Sequence, residues 1–178
     1  MSDVKGAEQT QRLFFALQPP PELQTHFAQA VVALLPDVGR PVRAENLHCT
    51  LVFLGQVGKG QRLCLEDAAS RIQATPFQLT FDHLGYFRRP QVAWFGCKTT
   101  PAALQTLVGK LQQAAATCGF PPEQRPYEVH LTAVRKLRRD PGPLRCIPIT
   151  WPVDRFILMA SVSEERGVSY KPIRAWNL

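Results

Sequence analysis

Hydrophobic and polar positions change period repeatedly along the chain, and each change predicts an element. Residues 12–18 (RLFFALQ) read as a strand between a polar tail and the break at Pro19-Pro20-Pro21. Residues 21–35 then read as a helix, with Leu23, Phe27, Ala30, Val31 and Leu34 at helical spacing. Proline suits a first helical turn, and Pro36 stops the helix. Residues 47–54 (LHCTLVFL) predict a strand closed by Gly55, and residues 61–74 a second helix with Leu63, Leu65, Ala69 and Ile72 as its apolar positions. Residues 77–84 alternate through Phe77, Leu79 and Phe81, the mark of a half-buried strand. After a turn at Arg88-Arg89-Pro90 come a strand at 91–97 and a third helix at 101–117, which Gly119 ends. A loop (GFPPEQRP) leads to a strand at 127–134, and a basic loop, RKLRRDPGPLR, comes after it. Two last strands, 155–162 and 168–176, are joined by a polar turn at SEERG. Strands interleaved with three helices, and dominant in the last third, make the fold class α+β.

Composition narrows the class. Of 178 residues, 45% are hydrophobic and 20% charged, ordinary for one soluble globular domain. Folding alone then needs neither a disulfide nor a metal. The net charge of +7 attracts polyanions, RNA first, although many basic surfaces hold only solvent. Five cysteines, Cys49, Cys64, Cys97, Cys118 and Cys146, are odd in number and form no C-x-x-C pair. That argues against a disulfide framework or a zinc ribbon and leaves reduced thiols as the expectation. The start, MSDVKGAEQTQR, has no apolar stretch behind a basic residue, and no run nears the ~20 apolar residues of a membrane span. A soluble, cytoplasmic protein without a membrane partner is expected. The sequence sets no oligomeric state, and a monomer is the default.

One short pattern recurs. Residues 48–51 read HCTL and residues 130–133 read HLTA, both His-x-Thr inside predicted strands. Side chains two apart on a strand share a face. His48 and Thr50 therefore point one way, with Cys49, Leu51 and Phe53 expected in the core. His130 and Thr132 likewise point one way, opposite Leu131 and Ala133. Two such pairs can line one cleft. Cleaving a phosphodiester needs a base to activate the nucleophile and an acid to protonate the leaving oxygen. An imidazole with a pKa of about 6.5 can be either near neutral pH. Threonine hydroxyls can donate to phosphate oxygens and steady the added charge of the transition state. The bland alternative is that histidine and threonine sit on strands for packing alone. A metal site is the other alternative, but carboxylate partners on the same face are missing nearby, with Glu128, two before His130, the one exception.

The segments NLHCTLVFLG (46–55) and RPYEVHLTAVR (125–135) resemble the paired H-x-[ST]-x motifs of the two-histidine (2H) phosphoesterase superfamily. Within it they are most similar to the bacterial and archaeal RNA 2′,3′-cyclic phosphodiesterases, also called 2′-5′ RNA ligases. RLFFAL (12–17), GRPV (39–42) and the closing Y-x-x-x-x-x-W-x-L from Tyr170 to Leu178 match as well, so the resemblance covers nearly the whole chain. It implies a single bilobal domain over residues 1–178, two pseudo-symmetric lobes of mostly antiparallel sheet, helices outside and a cleft between. It implies hydrolysis of a terminal 2′,3′-cyclic phosphate on RNA to a 2′-phosphate, with no metal or other cofactor, and a weaker ATP-independent 2′-5′ joining reaction. By the same resemblance His48 and His130 are the catalytic pair, His48 as acid and His130 as base. Thr50, Thr132 and Arg135 would hold the phosphate, and Phe14, an aromatic on the first strand, could stack on a base or simply fill the core. The sequence departs from the family in having Val129 where a proline commonly precedes the second histidine.

Three functions stay open: this hydrolase, a 2H phosphodiesterase for another cyclic nucleotide or a 2′-5′ oligonucleotide, and a non-catalytic RNA-binding module. Two complete His-x-Thr motifs speak against the last, since binding alone needs no acid–base pair. His26 and His83 read as surface or packing residues. Arg88, Arg89, Lys136, Arg138 and Arg139 read as solvated charge or as RNA contacts, and the nearness of Arg135 favours partial RNA contact.

Overall fold

The computed structural model describes residues 10–142, 144–165 and 167–178, and the polar N-terminal tail read from the sequence lies largely outside them. The first elements are β1 (Gln11–Leu17), helix α1 (Pro21–Leu34), a two-residue strand β2 (Arg40–Pro41) and a 3₁₀ turn at Ala44–Asn46. Then come β3 (Cys49–Val57), α2 (Lys59–Ser70), β4 (Phe77–Phe87), β5 (Val92–Gly96) and α3 (Ala102–Thr117). The chain closes with β6 (His130–Arg135), β7 (Leu144–Val153), β8 (Arg155–Glu164) and β9 (Gly167–Asn177).

The strands form two antiparallel sheets, one in the order β3-β1-β8-β9 and the other β2-β6-β5-β4-β7. β1 is buried on both faces from Leu13 to Leu17 because β3 and β8 flank it and each face of the sheet is covered. The helices cover the core faces. α1 crosses to the second sheet, where Phe27 packs on Phe81 and Phe95. α2 and α3 pack on each other and on strands of the first sheet. Leu13, Phe15 and Phe156 from one sheet and Phe81, Phe95 and Leu131 from the other belong to a single apolar cluster. The sheets meet where β3 touches β6, so the two motif-bearing strands lie side by side at the centre.

The α+β architecture and all three helices agree with the sequence reading, with corrections in detail. α2 stops at Ser70, Ile72 lies beyond it, and Leu63 is 60% exposed. Gly55 does not close β3, which runs on to Val57. β7 is absent from the sequence reading, and it carries Pro148 and Pro152, which are unusual inside a strand. It is an edge strand pairing only with β4, where the missing N–H groups cost nothing. Finally, Cys64 and Cys118 form a disulfide, with Cα atoms 5.8 Å apart. This corrects the expectation of five reduced thiols. The partners are far apart in sequence and are brought together by the packing of α2 on α3. Cys49, Cys97 and Cys146 are free.

Candidate active site

Each motif histidine stands where its strand begins, and each ring is fixed in the same way. His48 comes after the 3₁₀ turn, and its Nδ1 lies 2.7 Å from the carbonyl of Asn46. His130 opens β6, and its Nδ1 lies 3.0 Å from the carbonyl of Glu128. A carbonyl can only accept, so in each ring Nδ1–H donates and Nε2 is left for chemistry. Asn46, buried at 6% exposure, holds the first turn in place. Its amide donates to the Val168 carbonyl at 2.8 Å and its side-chain oxygen accepts from the Tyr170 N–H at 3.1 Å. Tyr127, just before the second motif, donates its hydroxyl to the Thr50 carbonyl at 3.2 Å and so ties the two motifs together.

The strands do not alternate simply after the motifs. On β3, Thr50 pairs with Ala16 and Val52 with Phe15, so Leu51 is an extra residue. On β6, Thr132 pairs with Trp94 and Val134 with Ala93, so Ala133 is an extra residue. These β-bulges occupy the same place, directly after each threonine, and each reverses the facing of the residues beyond it. Phe53 therefore turns to the cleft and is 57% exposed rather than in the core, which corrects the simple alternation. Arg135 turns to the cleft at the matching place on β6.

The result is a cleft of about 340 Å³. His48, Thr50, His130, Thr132 and Arg135 all line it, as does Phe14. The sequence reading missed Arg12, Phe53, Ser161 and Tyr170, which also face it. Arg12 was legible two residues before Phe14 on the same strand. Its guanidinium lies 5.0 Å from the centroid of the Phe53 ring, a cation–π arrangement. Phe14 is 3% exposed and packs against His48 at 5.0 Å and Tyr170 at 5.4 Å. It supports His48 and offers no open face to a base, because the His48 and Tyr170 rings cover it. Burial pushes the His48 pKa below its ordinary value. The Asn46 carbonyl works against this shift, and the charges of Arg135 and His130 add to it.

Other singled-out residues lie apart from these. His26 is exposed on α1. His83 sits on β4 with its Nδ1 2.7 Å from Asp82. Arg88, Arg89, Lys136, Arg138 and Arg139 are exposed and do not line the cleft. Glu128 faces solvent and serves His130 through its backbone, and among the described residues no three His, Cys, Asp or Glu side chains cluster as metal ligands. Val129 is buried just before β6, outside the ladder. Burial pushes the Cys97 thiol up to about 12, which makes it a poor nucleophile. Among the described residues, no helix is long and apolar enough to cross a membrane.

Known proteins resemble this chain throughout. Residues 19–164 match the model of the 2′-5′ RNA ligase superfamily. A protein of Escherichia coli K12 named RNA 2′,3′-cyclic phosphodiesterase is 36% identical, over 94% of this chain and 97% of its own. One of the same name from Archaeoglobus fulgidus is 32% identical, over 77% of this chain and 82% of its own. The crystal structure of E. coli LigT complexed with 3′-AMP superposes with a TM-score of 0.86 at 33% identity, over 96% of this chain and 99% of that one.

Proposed function

The chain belongs to the 2′-5′ RNA ligase superfamily, and on that footing we propose that it is an RNA 2′,3′-cyclic phosphodiesterase, opening a terminal cyclic phosphate to a 2′-phosphate on two imidazoles and without a metal. The observation that carries this reading is the matched pair of histidines. Each has Nδ1 tied to the carbonyl two residues upstream, and both line one cleft together with both motif threonines. A module that only bound RNA would have no use for two rings held in the same tautomer.

In this reading His130 Nε2 accepts a proton from water, whose oxygen attacks phosphorus in line with the bond to the ribose 3′-oxygen. That P–O bond breaks as His48 Nε2 gives its proton to the leaving 3′-oxygen. His130 gains a proton and His48 loses one, and exchange with solvent resets the pair. Thr50 and Thr132 donate hydroxyls to the non-bridging oxygens, and Arg135 balances their charge. Burial makes a protonated His48 a stronger acid, and the negative phosphate beside it favours the charged ring when substrate is bound. A 5′-hydroxyl in the place of water would give a 2′-5′ linkage by the same geometry.

The test is turnover of an RNA ending in a 2′,3′-cyclic phosphate beside one ending in a 3′-phosphate, with the product compared against 2′- and 3′-phosphate standards. His48→Ala and His130→Ala should each lower kcat by roughly 10²–10⁴, and the double variant should be little worse than either. A near-normal rate in either variant would sink the assignment. A 3′-phosphate product would overturn the orientation. Loss of activity in EDTA, restored by a divalent ion, would make the histidines metal ligands.

A further inference from the structure

One face of the second sheet leads out of the cleft, sharing His130 and Thr132 with it. His83, Gly96 and His130 stand in one row across β4, β5 and β6, and Gly85, Trp94 and Thr132 stand in the next. Cross-strand partners project to the same side, so this face runs from His130 to His83. Two glycines make its floor. A Cβ on Gly85 or on Gly96 would collide with the Trp94 ring, and one on Gly96 would also come within 2.7 Å of His83 Nε2. The indole therefore lies down on the sheet. Phe87, partly exposed, stacks with it at 4.9 Å between centroids and 25° between planes. Phe87 also meets His130 edge-on at 5.5 Å. Asp82 holds His83 by accepting from its Nδ1–H, which leaves Nε2 over Gly96 as the polar edge of an otherwise aromatic surface.

Resting on the RNA-end reading above, we infer that the Phe87–Trp94 stack and His83 form a second nucleotide subsite, which takes the nucleotide preceding the cyclic-phosphate end. The face is continuous with the cleft through His130. A cleft of about 340 Å³ lies at the small end for ligand sites, so a longer RNA must leave it, and an aromatic stack is a sequence-tolerant platform for the next base. Arg88 and Arg89, exposed in the turn directly after Phe87, bring positive charge for its phosphate. Asp82, the acidic group beside His83, is already engaged by His83 and lies 4.0 Å from Lys98 Nζ.

The experiment measures binding and turnover on the same variants. Binding uses a 5′-labelled trinucleotide ending in a 2′-phosphate, with adenosine 2′-phosphate as competitor, so no catalysis is needed. The wild type should prefer the trinucleotide. Phe87→Ala should cut that preference by roughly fivefold or more, and Phe87→Tyr, which keeps the ring, should retain it. The ratio of kcat/KM for a cyclic-ended trinucleotide to that for a 2′,3′-cyclic mononucleotide should fall in parallel. Absence of a preference in the wild type, or a preference unchanged in Phe87→Ala, overturns the subsite. If Phe87→Ala fails to fold, His83→Ala decides by the same ratio. If the wild type binds the trinucleotide preferentially but hydrolyses no cyclic end, the function reading falls while the subsite stands as an RNA contact.

Discussion

Tyr170 packs edge-on against His48 with ring centroids 4.6 Å apart, and Phe14 packs against the same ring. Together they strip water from the imidazole, and that desolvation lowers its pKa from the ordinary 6.5. Removing a covering ring restores hydration of the charged form and raises the pKa. The His48 pKa of the free enzyme, followed by NMR of the imidazole ring, should therefore lie below 6.5 in the wild type. It should move up in Tyr170→Ala and stay in place in Tyr170→Phe. The apparent values belong to the coupled pair, because the charge of His130 also lowers the pKa of His48. A His48 pKa that does not move in Tyr170→Ala would mean that burial by this ring does not set it. The histidines and threonines are legible in the sequence as a recurring pair. The environment of His48 is not, since Tyr170 reaches it from the far end of the chain.

At the scale of elements, the short strand β2 has the clearest consequence. Arg40 and Pro41 pair with Arg135 and Val134, and the Val42 N–H donates to the carbonyl of the bulged Ala133 at 2.8 Å. This close approach requires Gly39. Its φ is +66°, and a Cβ there would meet Val134 Cγ1 at 2.6 Å and the Arg135 carbonyl at 2.8 Å. Gly39→Ala should cost roughly 1–3 kcal/mol in urea unfolding and lower kcat/KM by displacing the strand end that carries Arg135. Gly60→Ala, at a helical position with open space around it, should be neutral or stabilising by up to about 1 kcal/mol. Equal stability of Gly39→Ala and wild type would remove the argument. The GRPV segment is visible as a matching piece of sequence, but its pairing with the second motif strand depends on partners more than ninety residues away.

At the scale of the molecule, the sheets share one apolar cluster, which supports reading the chain as one domain of two lobes. The Cys64–Cys118 bond adds a cross-link behind the first sheet, with a sequence separation of 54. Closing a loop of that length removes unfolded-state entropy worth up to about 4 kcal/mol, and measured gains are often smaller. Replacing both cysteines by serine, or reducing the bond, should lower Tm by several degrees. Turnover at 25 °C should persist, because neither cysteine lines the cleft. Intact mass with and without alkylation tells whether the bond is formed, and an unchanged Tm on reduction would contradict its contribution. The net charge of +7 implies attraction to polyanions, and Arg12 and Arg135 bring part of it into the cleft.

Helical and strand periods are local and are written within each segment, so the three helices, most of the strands and the faces of both His-x-Thr pairs could be read from the chain alone. Tertiary structure decided everything that depends on a partner. The bulges at Leu51 and Ala133 exist only relative to β1 and β5, yet they aim Phe53 and Arg135 into the cleft. A register shift beyond Phe81, against β7, puts His83 on the face opposite to that of the buried Phe81 and Leu84. Another, against β8, lets Tyr170 reach His48 while Trp176 stacks on Phe156 in the core. A period of two counted along one strand carries no record of the residue its neighbour skips, and that is why the walls of this site could not be read where its two histidines could.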